Sequence, residues 1–173
     1  SNDRAVAGPV EIPTLQPGIA YCRLAEITDA GAKGLREQLL PGKKGQRLIL
    51  DLRNNPGGSF DAALQCARLF LPADARLVAL DYAQPGQRVG FVSDSSPKFT
   101  GPIALLINGG TAAEAEILAA ALRDNGRALL VGSRTFGRGG HYELFALRDG
   151  SALKIPTSRY LAPSKQTFQG TGL

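Results

Sequence analysis

Two stretches of the chain are built to one pattern. Arg47 to Leu52 reads RLILDL and runs straight into Asn54-Asn55-Pro56-Gly57-Gly58, and Pro102 to Ile107 reads PIALLI and runs into Asn108-Gly109-Gly110. Each run has strand length and an apolar character that suits burial on both faces, and each Gly-rich turn opens directly into a segment of helical period. In the first, roughly Phe60 to Phe70, Ala63, Ala67 and Phe70 share a face with Leu64 and Leu71 beside them until Pro72; the second runs from Ala112 to Asp124 and stops at Asn125-Gly126. Strands buried on both sides and joined through helices are parallel strands, so the chain is expected to be an α/β domain.

The remaining segments fit around these units. Gly18 to Ala25 reads as a short strand, followed by Thr28-Asp29 as the cap of a helix to about Leu40, which Pro41-Gly42 stops. Arg76 to Tyr82 and Arg88 to Ser93 read as strands paired across Gln84-Pro85-Gly86, and Arg127 to Val131 as a strand before the Gly-rich loop from Gly132 to Gly140. His141 to Leu161 alternates as antiparallel strands do, with a turn at Asp149-Gly150. The expected sheet is therefore mostly parallel, with antiparallel strands toward the C-terminus. Residues 1–17, with Pro9, Pro13 and Pro17, read as an extended lead-in or linker stub, leaving 18–173 as the core domain.

Composition removes several function classes. At 173 residues, 43% hydrophobic and 20% charged, the chain has the length and make-up of one globular domain. No apolar run approaches the roughly 18 residues a membrane helix needs. The net charge of +5 comes from scattered basic residues, with only Lys43-Lys44 adjacent and no aromatic residues interleaved, which suits a solvated basic surface and no nucleic-acid site. Two cysteines, Cys22 and Cys66, with the single His141, make neither a disulfide framework nor a metal site, and two separate buried thiols are expected. The absence of Met leads to the expectation that residues have been removed ahead of Ser1-Asn2, itself readable as a cloning remnant.

The two Gly-rich turns aim backbone N–H groups beyond the strand ends, where they either simply make tight turns or together form an anion or oxyanion site. Thr111 and Glu114, spaced T-x-x-E, can form a capping box. As hydroxyl nucleophiles Ser59, Thr111 and Ser133 stand out no more than any turn hydroxyl, and His141 reads as a surface or hydrogen-bonded residue at a strand start.

Several separated blocks, DLRNNPGG, the Glu116 helix continuing into RDNGR, TFGRG and RYLAPS with its downstream Gly, occur in an order that resembles the tail-specific or C-terminal processing serine peptidases, from about Gly18 to Leu173. The resemblance implies a Clp- and crotonase-like core, a Ser-Lys dyad with an assisting Gln, hydrolysis near protein C-termini, and no cofactor or metal. In such enzymes Ser at a helix start attacks the scissile carbonyl, Lys takes its proton, and backbone N–H groups hold the oxyanion. The family's T-A-S-A-S-E is here Thr111-Ala112-Ala113-Glu114-Ala115-Glu116, so the nucleophile position is Ala113 and the next, usually small, residue is Glu114. The base position is Arg138, whose guanidinium stays charged, and the assisting position is Tyr142. Gly57, Gly58 and the amide of Glu114 match the oxyanion-hole region.

The reading is thus a catalytically silent relative that binds extended peptide or a protein C-terminus; Glu114 is read first as the capping-box partner of Thr111, and in a sharper reading it pairs with Arg138 and fills the vacated site. The alternatives are a peptidase with an unrecognised nucleophile and a crotonase-like enzyme with Glu114 as base. The resemblance further implies an upstream PDZ-like domain in the full-length protein and a periplasmic or otherwise extracytoplasmic location.

Overall fold

A computed structural model describes residues 16–39, 46–84 and 86–173. The lead-in up to residue 15, Leu40, Pro41-Gly42, Lys43-Lys44 and Pro85 lie outside them. The elements run β1 (Ile19–Arg23), α1 (Asp29–Leu39), β2 (Arg47–Asp51), α2 (Phe60–Arg68), β3 (Arg76–Tyr82), β4 (Arg88–Val92), β5 (Ile103–Ile107), α3 (Glu114–Asp124), β6 (Leu129–Gly132), β7 (Gly140–Ala146) and β8 (Ala152–Leu161).

The α/β expectation holds, and the strands divide into two sheets of equal size. One is parallel, in the order β1-β2-β5-β6; the other is antiparallel, in the order β4-β3-β8-β7. The antiparallel part is larger than a C-terminal addition because the β3–β4 hairpin joins β8 rather than the parallel sheet. Period-2 alternation marks each hairpin as antiparallel, but nothing in it says which sheet the hairpin enters.

The two repeated units land side by side, because β2 and β5 are neighbours with Leu50 opposite Leu105. Their turns therefore emerge together at one end of the sheet, as parallel strands require. Thr28 caps α1 by accepting the Gly31 amide, and Ser59 caps α2 by accepting the Ala62 amide. The helices pack side by side, α1 on α2 and α2 on α3, and α3 meets β3 of the second sheet. Ala62, Ala63 and Ala67 on α2 and Ala119, Ala120 and Ala121 on α3 are all buried, so small side chains fill these helix faces. Residues 115–122 of α3 are buried all round, which makes α3 the central helix of the core.

Asn125 and Gly126 end α3 as expected: Gly126 takes a positive φ of 64°, its amide reaches the Arg123 carbonyl, and the Arg127 amide reaches that of Leu122. The Arg127 guanidinium then donates to the carbonyls of Phe70, Phe99 and Gly101, tying the end of α3 to the loops beside it. Cys22 and Cys66 are both buried free thiols, with burial pushing them up to about 11 and about 12 respectively. No helix among the described residues is long and apolar enough to cross a membrane.

Candidate functional site

The site forms where the two Gly-rich turns meet. Asn54 and Asn108 clasp each other: the Asn108 Oδ1 accepts the Asn54 amide at 2.9 Å, and its Nδ2 donates to the Asn54 Oδ1 at 3.0 Å. The first turn is also tied to α3 by the Ala112 amide on the Asn55 carbonyl, while the Thr111 hydroxyl donates to the Leu52 carbonyl at 2.8 Å. Thr111 thus locks the turn to the end of β2 and does not cap α3, so the expected Thr111–Glu114 capping box does not form.

The α3 N-cap is Ala113, held at φ 52° and ψ −117°. That left-handed backbone is open to glycine and costs other residues on the order of 1–3 kcal/mol. It persists because its neighbours over-determine it: the Ala113 amide donates to Glu116 Oε2 at 2.9 Å, and its carbonyl accepts the Glu116 and Ile117 amides. Ala113→Gly should accordingly raise stability by about 1 kcal/mol, read as a higher denaturation midpoint at unchanged m-value; a midpoint at or below the parent's would refute the strain.

Glu116 is fully buried and acts as the hub of the site. Its Oε1 accepts the Thr135 hydroxyl at 2.6 Å and the Gly137 amide at 2.7 Å, and its Oε2 accepts the Arg138 amide at 2.8 Å as well as the Ala113 amide. One carboxylate therefore fixes the start of α3 relative to the loop carrying Arg138. The C-terminal segment closes over that loop from the other side, with Gln169 Oε1 accepting the Gly139 amide and the Gly170 amide reaching the Gly137 carbonyl.

Glu114 points across the gap to the first turn. Its Oε2 accepts the Gly58 amide at 2.9 Å, and its Oε1 accepts the Tyr160 hydroxyl at 3.0 Å. Gly57 packs so close that a Cβ there would lie 2.9 Å from Ala113 Cβ and 3.0 Å from the Glu114 amide. Gly57, Gly58, Ala113 and Glu114 are thus gathered at one point. The Glu114 amide is the first N–H of α3, with no helical carbonyl one turn before it.

Behind Glu114 the network continues through Tyr160, whose hydroxyl lies 3.0 Å from His141 Nδ1. With the tyrosine proton given to a carboxylate, Nδ1 carries the proton and donates to the phenol oxygen. Burial, helped by the neighbouring Glu114 charge and the hydrogen bond to it, holds the Tyr160 hydroxyl well above the ordinary tyrosine range, so it remains a donor. Phe60 packs against Tyr160, His141 and Phe91 and walls this network on one side.

The other expected positions fall elsewhere. Arg138 is exposed, and its guanidinium lies over the Phe136 ring, 5.0 Å from the centroid, so the expected Glu114–Arg138 ion pair does not form. A carboxylate held by an amide and a phenol needs no cation, and a guanidinium on an aromatic face is already favourably placed. Tyr142 stands 46% exposed beneath the Lys154 ammonium. A register shift between His141 and Tyr142 breaks the regular pairing at this point, and His141 is the residue joined to the network. Ser59 and Thr111 are engaged in the structural bonds above, and Ser133 is exposed. Among the described residues no group of three or more His, Cys, Asp or Glu side chains converges as metal ligands would.

The sequence reading gives Glu116, Tyr160 and Gln169 no role of their own. For Tyr160 the signal lay in the RYLAPS block; for Glu116 it lay in an acidic residue inside an otherwise apolar helix.

The profile of Peptidase family S41 matches residues 18–173. Carboxyl-terminal-processing peptidase 3, chloroplastic, of Arabidopsis thaliana is 37% identical over 156 residues, covering 88% of this chain and 30% of that protein. The carboxyl-terminal-processing protease of Synechocystis is 35% identical, covering 91% of this chain and 38% of that one. Among solved structures, a photosystem II D1 C-terminal processing protease superposes with a TM-score of 0.83 at 33% identity, covering 92% of this chain and 43% of the other. The chain thus spans roughly a third of the length of these curated relatives.

Proposed function

Because the chain belongs to peptidase family S41, a family of serine peptidases, we propose that it is a member that binds protein C-termini or extended peptides without cleaving them. The observation that carries this reading is the Glu114 carboxylate on the Gly58 amide. The place where a peptidase stabilises negative charge is taken by a charge of the protein's own. Ala113 offers no hydroxyl, and Arg138 cannot accept a proton.

What survives suits binding. Arg138 lies on the exposed Phe136 and has no acidic partner within 4.0 Å among the described residues. A guanidinium beside an aromatic face suits a terminal carboxylate with an apolar last side chain. The same proposal takes 18–173 as the peptidase core, with 1–17 as its lead-in, a PDZ-like domain in the full-length protein, and an extracytoplasmic location.

The test is cleavage of an unfolded protein followed by mass spectrometry. The unmodified chain should leave it intact. Ala113→Ser with Arg138→Lys should remain at least about a hundredfold slower than the triple variant that adds Glu114→Ala, since one lost oxyanion donor costs about 10²–10³ in rate. Cleavage by the unmodified chain would overturn the silent reading. In a parallel binding assay, a free-carboxyl peptide should bind more tightly than its amide, and Arg138→Ala should erase the difference; equal binding of the two forms would overturn carboxylate capture.

A further inference from the structure

We infer that the outer face of the antiparallel sheet is a second binding site, separate from the one around Glu114, which takes an extended acidic peptide as a strand added to the edge of β4. Successive residues of a strand face opposite sides of its sheet. Tyr160 faces the Glu114 network, so its neighbour Leu161 faces away from it. Leu161 pairs with Ala79, and Ala79 with Gly90, which puts these three on the outer face. There they floor a groove of about 240 Å³ bordered by Val92, Arg76, Arg88 and Lys165.

Two features select the occupant. The lining carries three cations and no acid. Arg88 is bonded to Asp81, whereas Arg76 and Lys165 have no acidic partner within 4.0 Å among the described residues. An apolar floor with a cationic rim complements a ligand that is apolar at its centre and acidic at its flanks. The second feature is that β4 is an edge strand, whose outer row of N–H and C=O groups pairs with no strand among the described residues. Those groups are usable by a polypeptide backbone and not by a lipid tail.

The register sets the spacing. Along β4, Arg88 lies opposite Asp81, Gly90 opposite Ala79 and, across a register shift in β3 between Arg76 and Val78, Val92 opposite Arg76, so a cation stands to either side of the Gly90 floor, Arg88 with the one guanidinium nitrogen that Asp81 does not engage. An added strand presents every second side chain to this face. The fitting sequence therefore places an apolar residue over Gly90 with an acidic residue two positions before and after it.

The test uses a heptapeptide with central Leu and Glu two residues to either side, acetylated and amidated so that no terminal carboxylate can engage Arg138, and labelled for fluorescence anisotropy. A Cβ at Gly90 meets nothing within 4 Å, so Gly90→Leu starts a side chain into the groove from an unobstructed Cβ. It should weaken binding at least about tenfold, and Arg76→Glu with Lys165→Glu should do the same. The same peptide with Lys for Glu should bind at least about tenfold more weakly. Glu114→Ala and Arg138→Ala should leave binding unchanged, which separates this site from the one proposed above. The inference is overturned if the unmodified chain does not bind the capped peptide, if Gly90→Leu and the charge-reversed double variant both bind it as the parent does, if the Lys peptide binds equally well, or if phosphatidylglycerol vesicles bind in its place. Circular dichroism of both variants confirms that any loss occurs in a folded chain.

Discussion

Replacing Glu116 by alanine will destabilise the protein by about 4 kcal/mol, with glutamine scarcely better. The carboxylate accepts four donors from a fully buried position, and removing it leaves the amides of Ala113, Gly137 and Arg138 without their acceptor. A net charge-assisted hydrogen bond is worth about 1.5–3 kcal/mol, and orphaned buried donors cost a comparable amount, though not additively. Glutamine is the informative variant. Whichever oxygen becomes NH₂, it faces at least one backbone N–H, that of Gly137 on one side or those of Ala113 and Arg138 on the other. Denaturant midpoints measure the loss, and hydrogen exchange of residues 135–139 should accelerate in both variants. A Glu116→Gln protein as stable as the parent would show that the carboxylate is not needed as an acceptor on both oxygens.

Gly58→Ala will cost about 3 kcal/mol or more and will disturb the site with it. Gly58 has φ 149°, and a Cβ there would run into the carbonyl of Ile27. That carbonyl already accepts the Ser59 amide, while the Ile27 amide donates to the Gly57 carbonyl. The turn therefore has no room to retreat without losing both bonds and the Gly58 amide's place on Glu114. By contrast, Gly86→Ala meets no neighbouring atom, and only its φ of 82° opposes it, so it should cost about 1 kcal/mol. Thermal or urea denaturation of the two variants side by side makes the comparison, and equal losses would refute the steric argument.

The order of elements was legible because each carried its own punctuation: Thr28 and Ser59 as caps, Asn125-Gly126 as a stop, and unbroken apolar runs for β2 and β5. The meeting of the two turns was legible too, since parallel neighbours must release their turns at the same end. The division into two sheets was not, because a hairpin's period records which face is buried and not which strand lies alongside. Within the site, the spacing of Ala113, Glu114 and Glu116 was fixed by the helix. The direction of the Glu114 side chain was not, because it depends on Gly58, 56 positions earlier, and Tyr160, 46 positions later. Charge alone suggested Arg138 as its partner; proximity made the partner a backbone amide. The break in register at His141 has no mark in the sequence, so spacing along the chain does not show that His141 is the residue that reaches Tyr160.

Ala113 separates two kinds of information that usually travel together. Its side chain, a single methyl group, takes part in none of the hydrogen bonds that surround it, whereas its backbone posture is written by Glu116 and by the loop that Glu116 holds. A change of chemistry at this position is therefore a one-residue edit, and a change of posture would need coordinated edits at several distant positions. The backbone at Ala113 is thus held independently of the side chain it carries.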